Sequence, residues 1–154
     1  TRKNHSFNIS YGTLKDTLKE MNISDPSLQS ISDAVIHIRR SKLPDPSLLG
    51  NAGSFFKNPA ISLMHYQSLQ KIYLKIPGYH SVNQEVKVPA GWLIEQCGWK
   101  GKRLNNIGVH SQQALVIVNY GNGKGEEIFQ LAMQIISSVK EKFNITLTPE
   151  VNII

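Results

Sequence analysis

The sequence predicts an α+β domain, with a small mixed sheet packed with helices. Separated stretches show helical apolar spacing, and the clearest of them runs from Glu126 onward. By contrast, Ala114–Tyr120 is a run rich in branched apolar residues, which is typical of a buried strand. Hydrophobic residues make up 40% and charged residues 18% of the 154 residues, a globular balance that argues against a disordered chain.

The N-terminal part of the chain predicts two helices. Thr13–Met21 is expected to form a short one, although residues 1–24 contribute few apolar groups. A stronger helix is expected next, with Asp25 as its cap and Pro26 at the first helical position, where a missing N–H costs nothing. Its apolar stripe is predicted to consist of Leu28, Ile31, Val35 and Ile38.

The remaining elements are predicted from periodicity and from glycine and proline punctuation. Besides the helix that begins near Glu126, helices are expected at Ser62–Tyr73 and at Pro89–Cys97, the latter closed by Gly98. Besides the buried run Ala114–Tyr120, strands are expected at Val86–Val88 and Asn144–Thr148.

Two glycine-rich segments are candidates for ligand contact. In Gly121–Gly125, a dinucleotide fingerprint fails because Glu126 stands where its last glycine is required, and a P-loop fails because Gly125 replaces Ser or Thr. This segment is predicted to be a turn. In Gly50–Pro59, the glycines permit close backbone approach around Ser54, and a ligand site and a tight turn are equally favoured by composition.

Histidine and cysteine usage predicts no metal site. The five histidines show no metal-ligand spacing, and His110, which precedes the buried run, is expected to be a hydrogen-bonded structural imidazole rather than a site residue. The single cysteine, Cys97, excludes an intramolecular disulfide and fits a reducing compartment. Apolar runs are too short for a membrane helix, so no membrane partner is expected.

The charge balance leaves two function classes open. The 17 Lys and Arg minus the 11 Asp and Glu give a net charge of +6, which favours anionic partners. Clusters at Arg39–Lys42 and Lys100–Arg103 are modest and lack the dense, aromatic-interleaved stripe of nucleic-acid binders. A non-catalytic basic domain that binds nucleotides or nucleic acid therefore remains the alternative hypothesis.

Ordered motifs resemble one family. Lys42-Leu-Pro-Asp-Pro, then Gly50-Asn-Ala-Gly-Ser-Phe-Phe-Lys-Asn-Pro, then Ala90-Gly-Trp-Leu-Ile-Glu-Gln-Cys-Gly, Val109-His-Ser-Gln-Gln-Ala-Leu-Val and Pro149-Glu-Val occur in sequence. In this order they are similar to the UDP-N-acetylenolpyruvoylglucosamine reductase family, also called UDP-N-acetylmuramate dehydrogenase. The resemblance runs from about Tyr11 to the end of the chain.

The resemblance implies a bacterial, cytoplasmic flavoenzyme of peptidoglycan synthesis. Reduced FAD passes a hydride to the enolpyruvyl group of UDP-N-acetylglucosamine enolpyruvate, and NADPH recharges the flavin. The proton that completes the reduction is implied to come from Ser54, with Glu150 beside the substrate carboxylate as the second catalytic residue. Neither nucleic acid nor a membrane is an expected partner of such an enzyme.

The resemblance also implies a set of binding residues. Lys42 corresponds to a lysine on the diphosphate and Tyr11 to a tyrosine that closes over the nucleotide. Asn58 and Gln113 correspond to residues that read the uridine. Arg39 and Gly53 correspond to positions near the flavin cofactor, and no metal is implied.

The sequence departs from the family pattern at several positions. No flavin-binding half precedes Tyr11, and no arginine partner for Glu150 is present, while Ser111 stands where relatives commonly carry a basic residue. The chain also starts with Thr1 rather than Met. We therefore expect residues 1–24 to be a remnant of the FAD-binding domain and 25–154 to be the substrate-binding domain, inactive without the missing half.

Overall fold

A computed structural model describes residues 7–9, 13–81 and 83–152. The α+β class is confirmed, and within these residues the strands form two small antiparallel sheets. The chain divides into two compact units, Thr1–Leu43 and Pro44–Ile154. Each unit has its own hydrophobic cluster. The division into a remnant at 1–24 and a domain at 25–154 stays a prediction.

The first unit consists of α1 (Leu14–Glu20) and α2 (Leu28–Lys42), as the apolar spacing predicts. The expected cap at Asp25 is wrong, because Ser27 caps α2: its hydroxyl accepts from the Ser30 amide at 3.1 Å, and the Ser30 hydroxyl accepts from the Ser27 amide at 2.8 Å. Serine and aspartate both suit this position, so composition alone could not choose between them.

The buried stripe of α2 also differs from the predicted one. Ala34 is fully buried, with Ile31 and Ile38 packed beside it, whereas Leu28 and Val35 are 64% and 40% exposed. The helix therefore buries a narrower face than its apolar residues suggest. The cluster of the first unit is completed by Leu14, Leu18, Ile9 and Ile23.

The second unit contains the remaining elements. Its strands are β1 (Gly50–Ser54), β2 (Ala60–Ser62), β3 (Tyr79–His80), β4 (Glu85–Lys87), β5 (Arg103–Leu104), β6 (Ile107–Val109) and β7 (Val116–Asn119). Its helices are α3 (Leu63–Ile72), α4 (Ala90–Gln96) and α5 (Gly125–Phe143). One sheet has the order β1-β7-β6-β5 and the other β2-β4-β3. The helices predicted here are confirmed.

Helix α5 covers the larger sheet because its apolar face is continuous. Leu131, Ala132, Ile135, Val139 and Phe143 are all buried, and the helix contacts α4 and β6. The Glu127 carboxylate accepts from the Lys124 amide at 2.7 Å at its start, and Asn144 ends it in the left-handed conformation, with φ 54°. Ile117, Ile107 and Val109 belong to the same core.

The predicted strand at Asn144–Thr148 does not form. Ile145 and Leu147 are buried in alternation with exposed neighbours, which is the pattern that suggested a strand. The segment nevertheless lacks a ladder partner within the described residues, and only the bridge between Phe56 and Pro149 follows it. The segment packs Ile145 and Leu147 into the core without entering a sheet.

Candidate functional site

Strand β1 contains a bulge that sets the direction of Ser54. Asn51 lies opposite Val118 and Ser54 lies opposite Val116, so β1 carries one residue more than β7 between these two pairs. Gly53 supplies the left-handed backbone that this geometry needs, with φ 72°. Because directly paired residues point to the same face, Ser54 lies on the face of Val116 rather than that of Ile117, and both of these β7 residues are buried.

Strand β1 was not predicted from the sequence, since Gly50-Asn51-Ala52-Gly53 lacks the residues that favour strands. The pairing with β7 creates it. The Ser54 side chain is exposed, between the partly buried Gly53 and the buried Phe55. No hydrogen bond involves its hydroxyl within the described part of the chain, so this group is available to a ligand.

The structure brings Glu150 next to Ser54. The Glu150 amide donates to the carbonyl of Phe55 at 2.8 Å, and the Lys57 amide donates to the carbonyl of Thr148 at 2.9 Å. Phe56, 1% exposed, fixes this junction from inside the core. The Glu150 side chain is exposed, and its carboxylate makes no ion pair with any described residue. A hydroxyl and a free carboxylate thus lie on adjoining backbone segments.

Asn58 and Gln113 both lie near the start of α4. The Asn58 Oδ1 accepts from the Ala90 amide at 2.8 Å, a cap that Pro89 cannot provide. The Gln113 Oε1 lies 3.5 Å from where a side-chain carbon at Gly91 would stand. Gly91 therefore leaves room for the glutamine, and both amide side chains reach the same end of the helix.

Leu115 connects this end of α4 to the bulge. Its amide lies 3.4 Å from Gln113 Oε1, and its carbonyl accepts from the Phe55 amide at 2.8 Å. Four predicted residues of the second unit, Ser54, Asn58, Gln113 and Glu150, therefore belong to one connected set of segments. We call this set the candidate site.

Two of the remaining predicted residues lie in the first unit. Arg39 and Lys42 occupy the last turn of α2 in the first unit, and both are exposed. Tyr11 lies outside the described residues. The grouping of these three with the candidate site stays a prediction.

Sequence reasoning overlooked two residues of the smaller sheet, whose strand β2 follows Asn58 in the chain. Lys87 on β4 lies opposite Ala60 on one side and Tyr79 on the other, so the three side chains share one face of the smaller sheet. Lys87 is exposed and Tyr79 is 68% exposed, whereas Val86, which precedes Lys87 along β4, is buried. The alternation of β4 could have revealed this cation and this aromatic ring as a surface pair.

The segment Gly121–Gly125 is a turn, as predicted. Asn119 Oδ1 accepts from the amides of Gly121 and Gly123 at 3.0 and 3.1 Å, and Asn119 Nδ2 donates to the Gly123 carbonyl at 2.9 Å. These amides are therefore not free to bind a phosphate. The glutamates at the start of α5 would also repel one.

A groove of about 580 Å³ flanks the bulge on the side of α5. Ala52 and Phe55 line it on either side of Gly53 and Ser54 in the chain, and Phe129 and Val151 contribute further apolar surface. No described atom lies within 4 Å of a side-chain carbon built on Gly53. The backbone beside Ser54 is therefore open to close approach.

The imidazole of His110 is not hydrogen-bonded to any described residue at one nitrogen, contrary to the prediction. Its Nδ1 is buried and has no hydrogen-bond partner in the described part of the chain, so the predicted hydrogen-bonded imidazole is wrong for this nitrogen. Its amide donates to the Val116 carbonyl at 2.9 Å, which places it across β7 from Ser54.

The thiol and several of the cationic side chains outside the candidate site are buried or in contact with neighbouring side chains. Burial raises the pKa of the Cys97 thiol, and the nearby Lys142 partly offsets this. Lys100 pairs with Glu95 at 3.0 Å, Lys102 stacks on Trp99 and Arg103 stacks on Tyr120. No cluster of three or more potential metal-ligating side chains occurs in the described ranges. Likewise, no described helix is long and apolar enough to cross a membrane.

Comparison with known proteins fits the candidate site. The family described as UDP-N-acetylenolpyruvoylglucosamine reductase, C-terminal domain, matches residues 45–154. This chain belongs to that family. The match contains every residue of the candidate site, and it starts close to the boundary at which the second compact unit begins.

Curated relatives match over nearly the whole chain. A Flavobacterium johnsoniae protein is 50% identical over 154 residues, which is all of this chain and 46% of the relative. A Porphyromonas gingivalis protein is 54% identical over 97% of this chain and 44% of its own length. A Pseudomonas putida protein is 43% identical over 99% of this chain and 45% of its own length. All three are named UDP-N-acetylenolpyruvoylglucosamine reductase, an oxidoreductase, and the chain spans about half their length.

Proposed function

We propose that this chain is the substrate-binding portion of an enzyme that reduces UDP-N-acetylglucosamine enolpyruvate to UDP-N-acetylmuramate in peptidoglycan synthesis, in the bacterial cytoplasm. The connection of Ser54, Glu150, Asn58 and Gln113 in one unit is the observation that carries this proposal. Three stretches of sequence, at 54–58, at 113 and at 150, are joined by these hydrogen bonds although they lie far apart along the chain. Family membership supports the same reading.

Ser54 is proposed to donate the proton that completes the reduction. Hydride addition to the enolpyruvyl double bond leaves negative charge on the carbon beside the carboxylate, and one proton then completes the new C–H bond. The Ser54 residue is exposed at the end of β1, its hydroxyl makes no hydrogen bond with any described residue, and the bulge places it on the face of Val116. The resulting alkoxide takes its proton back from solvent, so the residue acts as a general acid.

Glu150 is proposed to lie beside the substrate carboxylate and to help stabilise the enolic intermediate. Two like charges repel when both are ionised, so this role needs either a proton shared between the carboxyl groups or a nearby cation. The described residues provide no ion-pair partner for Glu150. We therefore propose that the missing half of the parent protein supplies the cation.

The nucleotide end is proposed to bind at the start of α4. Asn58 uses its oxygen to cap the helix, so its Nδ2 donor remains for a uracil carbonyl, with Gln113 as the second amide. Lys87, which lies opposite Ala60 on the strand that follows Asn58, is proposed as a cation for the diphosphate. Lys42 and Tyr11 in the first unit are proposed to close over the same ligand, as the resemblance implies.

The described residues do not fit a flavin dinucleotide by themselves. The amides of Gly121 and Gly123 are occupied by Asn119, and the start of α5 is acidic. We propose that FAD is held by the portion of the parent protein outside this chain, with Gly53 and Arg39 as this chain's contacts to it. When bound there and reduced by NADPH, FAD supplies the hydride.

The test uses the intact parent protein. We expect NADPH oxidation only when the enolpyruvyl sugar is supplied, and we expect Ser54→Ala to lower turnover by about 100-fold or more. Ser137→Ala on the exposed face of α5 is the matched control. Unchanged turnover in Ser54→Ala would remove the proton-donor assignment, and no reduction of the sugar by the wild-type parent would remove the proposed function.

The alternative of a nucleic-acid-binding domain has less support, because Lys100, Lys102 and Arg103 are each engaged within the fold. It predicts salt-sensitive binding of oligonucleotides at least as tight as that of UDP. Competition between UDP and a single-stranded oligonucleotide at two salt concentrations separates the hypotheses. Displacement of UDP only at low salt, by an oligonucleotide that binds more tightly, would favour the alternative.

A further inference from the structure

Asn51 is the residue that ties the bulge of β1 together. Its Oδ1 accepts from the amide of Gly53 at 3.0 Å. Its Nδ2 donates to the carbonyl of Leu49 at 2.7 Å and to that of Pro44 at 3.3 Å. The partly buried side chain thus fixes the main chain on both sides of its own position, and all three of its partners are backbone atoms.

The bond to Gly53 stabilises the extra residue of the bulge. An extra residue in a bulged strand has no ladder partner, so its amide needs another acceptor, and the Asn51 side chain provides one. If the bulge closed into a regular ladder, Gly53 would lie opposite Val116. Ser54 would then turn to the opposite face of the sheet, since a slip of one residue reverses every side chain.

The geometry points to Asn51 as a positioning residue for the Ser54 hydroxyl, an inference that rests on the proposed reduction. Asn51 acts through the backbone: it holds Gly53 in the left-handed conformation, and Gly53 in turn places Ser54 opposite Val116, where Ser54 is exposed. The side chain has no assigned contact with the substrate. Its loss therefore affects the placement of the proton more than the binding of the UDP-sugar.

The chain offers a matched control in Asn119. This asparagine lies on β7 opposite Gly50 and also makes three hydrogen bonds to main-chain atoms, those of Gly121 and Gly123. Both asparagines are partly buried. The two differ in that the loop held by Asn119 contains no residue of the candidate site.

The experiment compares Asn51→Ala with Asn119→Ala in the intact parent protein. We expect both variants to lose a similar amount of thermal stability. We expect kcat for the enolpyruvyl sugar to fall by about 10- to 100-fold in Asn51→Ala, with KM changed less than threefold, because a small displacement of a reacting group costs this much. Asn119→Ala should retain the wild-type kcat. An equal loss of kcat in both variants, or none in Asn51→Ala, would overturn the inference.

A conservative variant separates positioning from general damage. Asn51→Asp retains the oxygen that accepts from Gly53 and loses the donors to Leu49 and Pro44, so it should recover most of the kcat while remaining less stable than the wild type. A kcat as low as that of Asn51→Ala would contradict a role through Gly53.

Hydrogen exchange gives a readout that does not depend on activity. In mass-spectrometric exchange on the intact parent, a peptide containing Gly53 should exchange faster in Asn51→Ala than in Asn119→Ala. Unchanged exchange there would overturn the inference even if kcat fell. If the wild-type parent did not reduce the sugar, the proposed function would fail, and the exchange comparison would still decide whether Asn51 holds the bulge.

Discussion

In both glycine-rich segments of the second unit, Gly50–Gly53 and Gly121–Gly125, an asparagine side chain accepts hydrogen bonds from glycine amides, but the surroundings of the glycines differ. An asparagine side chain holds the main chain of each, Asn51 in the first and Asn119 just before the second, and Asn119 lies opposite Gly50 of the first segment. Around Gly53 no described atom lies within 4 Å of a built side-chain carbon, whereas at Gly123 the same carbon would stand 2.5 Å from Ile107 Cγ2. Glycine at position 53 leaves space beside Ser54, and glycine at position 123 permits close packing against Ile107.

The difference explains why a glycine motif is a poor guide to ligand binding. The turn Gly121–Gly125 looks more like a phosphate loop, yet its amides are already bonded to Asn119. The segment around Gly53 resembles no phosphate motif, yet it leaves Ser54 exposed beside Glu150. Open backbone next to unbonded polar side chains is the better indication of a site.

The largest expected effect comes from closing the open segment. Gly53→Ala in the intact parent places a side chain at φ 72°, which costs about 1–2 kcal/mol of folding free energy. It also displaces Ser54, so kcat should fall by about 100-fold. Steady-state kinetics with the enolpyruvyl sugar measures this. A kcat within threefold of the wild type would show that access at Gly53 is dispensable and would remove the contrast between the segments.

Overpacking the second segment should affect stability alone. Gly123→Ala brings the new methyl group against Ile107 and against Asn119 Oδ1, 2.5 and 2.8 Å away, and should destabilise the protein by about 1–3 kcal/mol. Urea unfolding measures the change, and kcat should equal the wild-type value. A fall in kcat larger than the unfolded fraction explains would indicate that this turn also contributes to the site.

A smaller effect is expected at the start of α5. Glu127→Ala removes the carboxylate that accepts from the Lys124 amide at 2.7 Å, and should cost about 0.5–1 kcal/mol without any change in UDP affinity. Thermal unfolding and titration with UDP test both parts. Tighter UDP binding in this variant would mean that the acidic helix start faces the diphosphate, which would contradict the assignment of this turn to packing.

The smallest effect concerns Cys97, which lies outside both segments. Burial raises the pKa of this thiol, with Lys142 acting in the opposite direction, so alkylation near neutral pH should be slower in the folded chain than in the unfolded one. The raised pKa adds stability below the thiol pKa of the unfolded chain, and this stability is lost as the pH rises through the folded value.

As the single cysteine, Cys97 reports on both segments through one reaction. Iodoacetamide labelling of the glycine variants should accelerate in step with their loss of stability. Equal labelling rates for folded and urea-unfolded wild type would contradict the effect of burial on this thiol.

The helices of the second unit could be predicted because each carries its own signal. Helix α5 has an uninterrupted apolar face, and α4 lies between Pro89 and Gly98. Strand β1 could not be predicted, because its glycine and asparagine residues have no strand preference and only β7 holds them extended. The opposite error occurred at Asn144–Thr148, where alternating burial is present but no strand partner is available within the described residues.

Some residues of the candidate site could be identified from the sequence only by resemblance to a family, whereas one nearby residue carried a local signal. The identities of Ser54, Glu150, Asn58 and Gln113 were available only through resemblance to a family, since an isolated glutamate near Pro149 has no local signature. Their meeting depends on hydrogen bonds between distant backbone segments, such as that from the Glu150 amide to Phe55. Lys87 shows the converse, because the alternation of β4 contained the necessary signal.

Because the side chain of Asn58 can bond to the Ala90 amide and to a ligand at the same time, the Ala90 amide can serve as a spectroscopic probe of binding. Its oxygen accepts from the Ala90 amide, while its nitrogen faces outward without a partner in the described part of the chain. A molecule that accepts a hydrogen bond from that nitrogen polarises the whole amide group and strengthens the bond at the oxygen. The nuclear magnetic resonance of the Ala90 amide proton should therefore move downfield when the uridine end is occupied, without any label on the ligand.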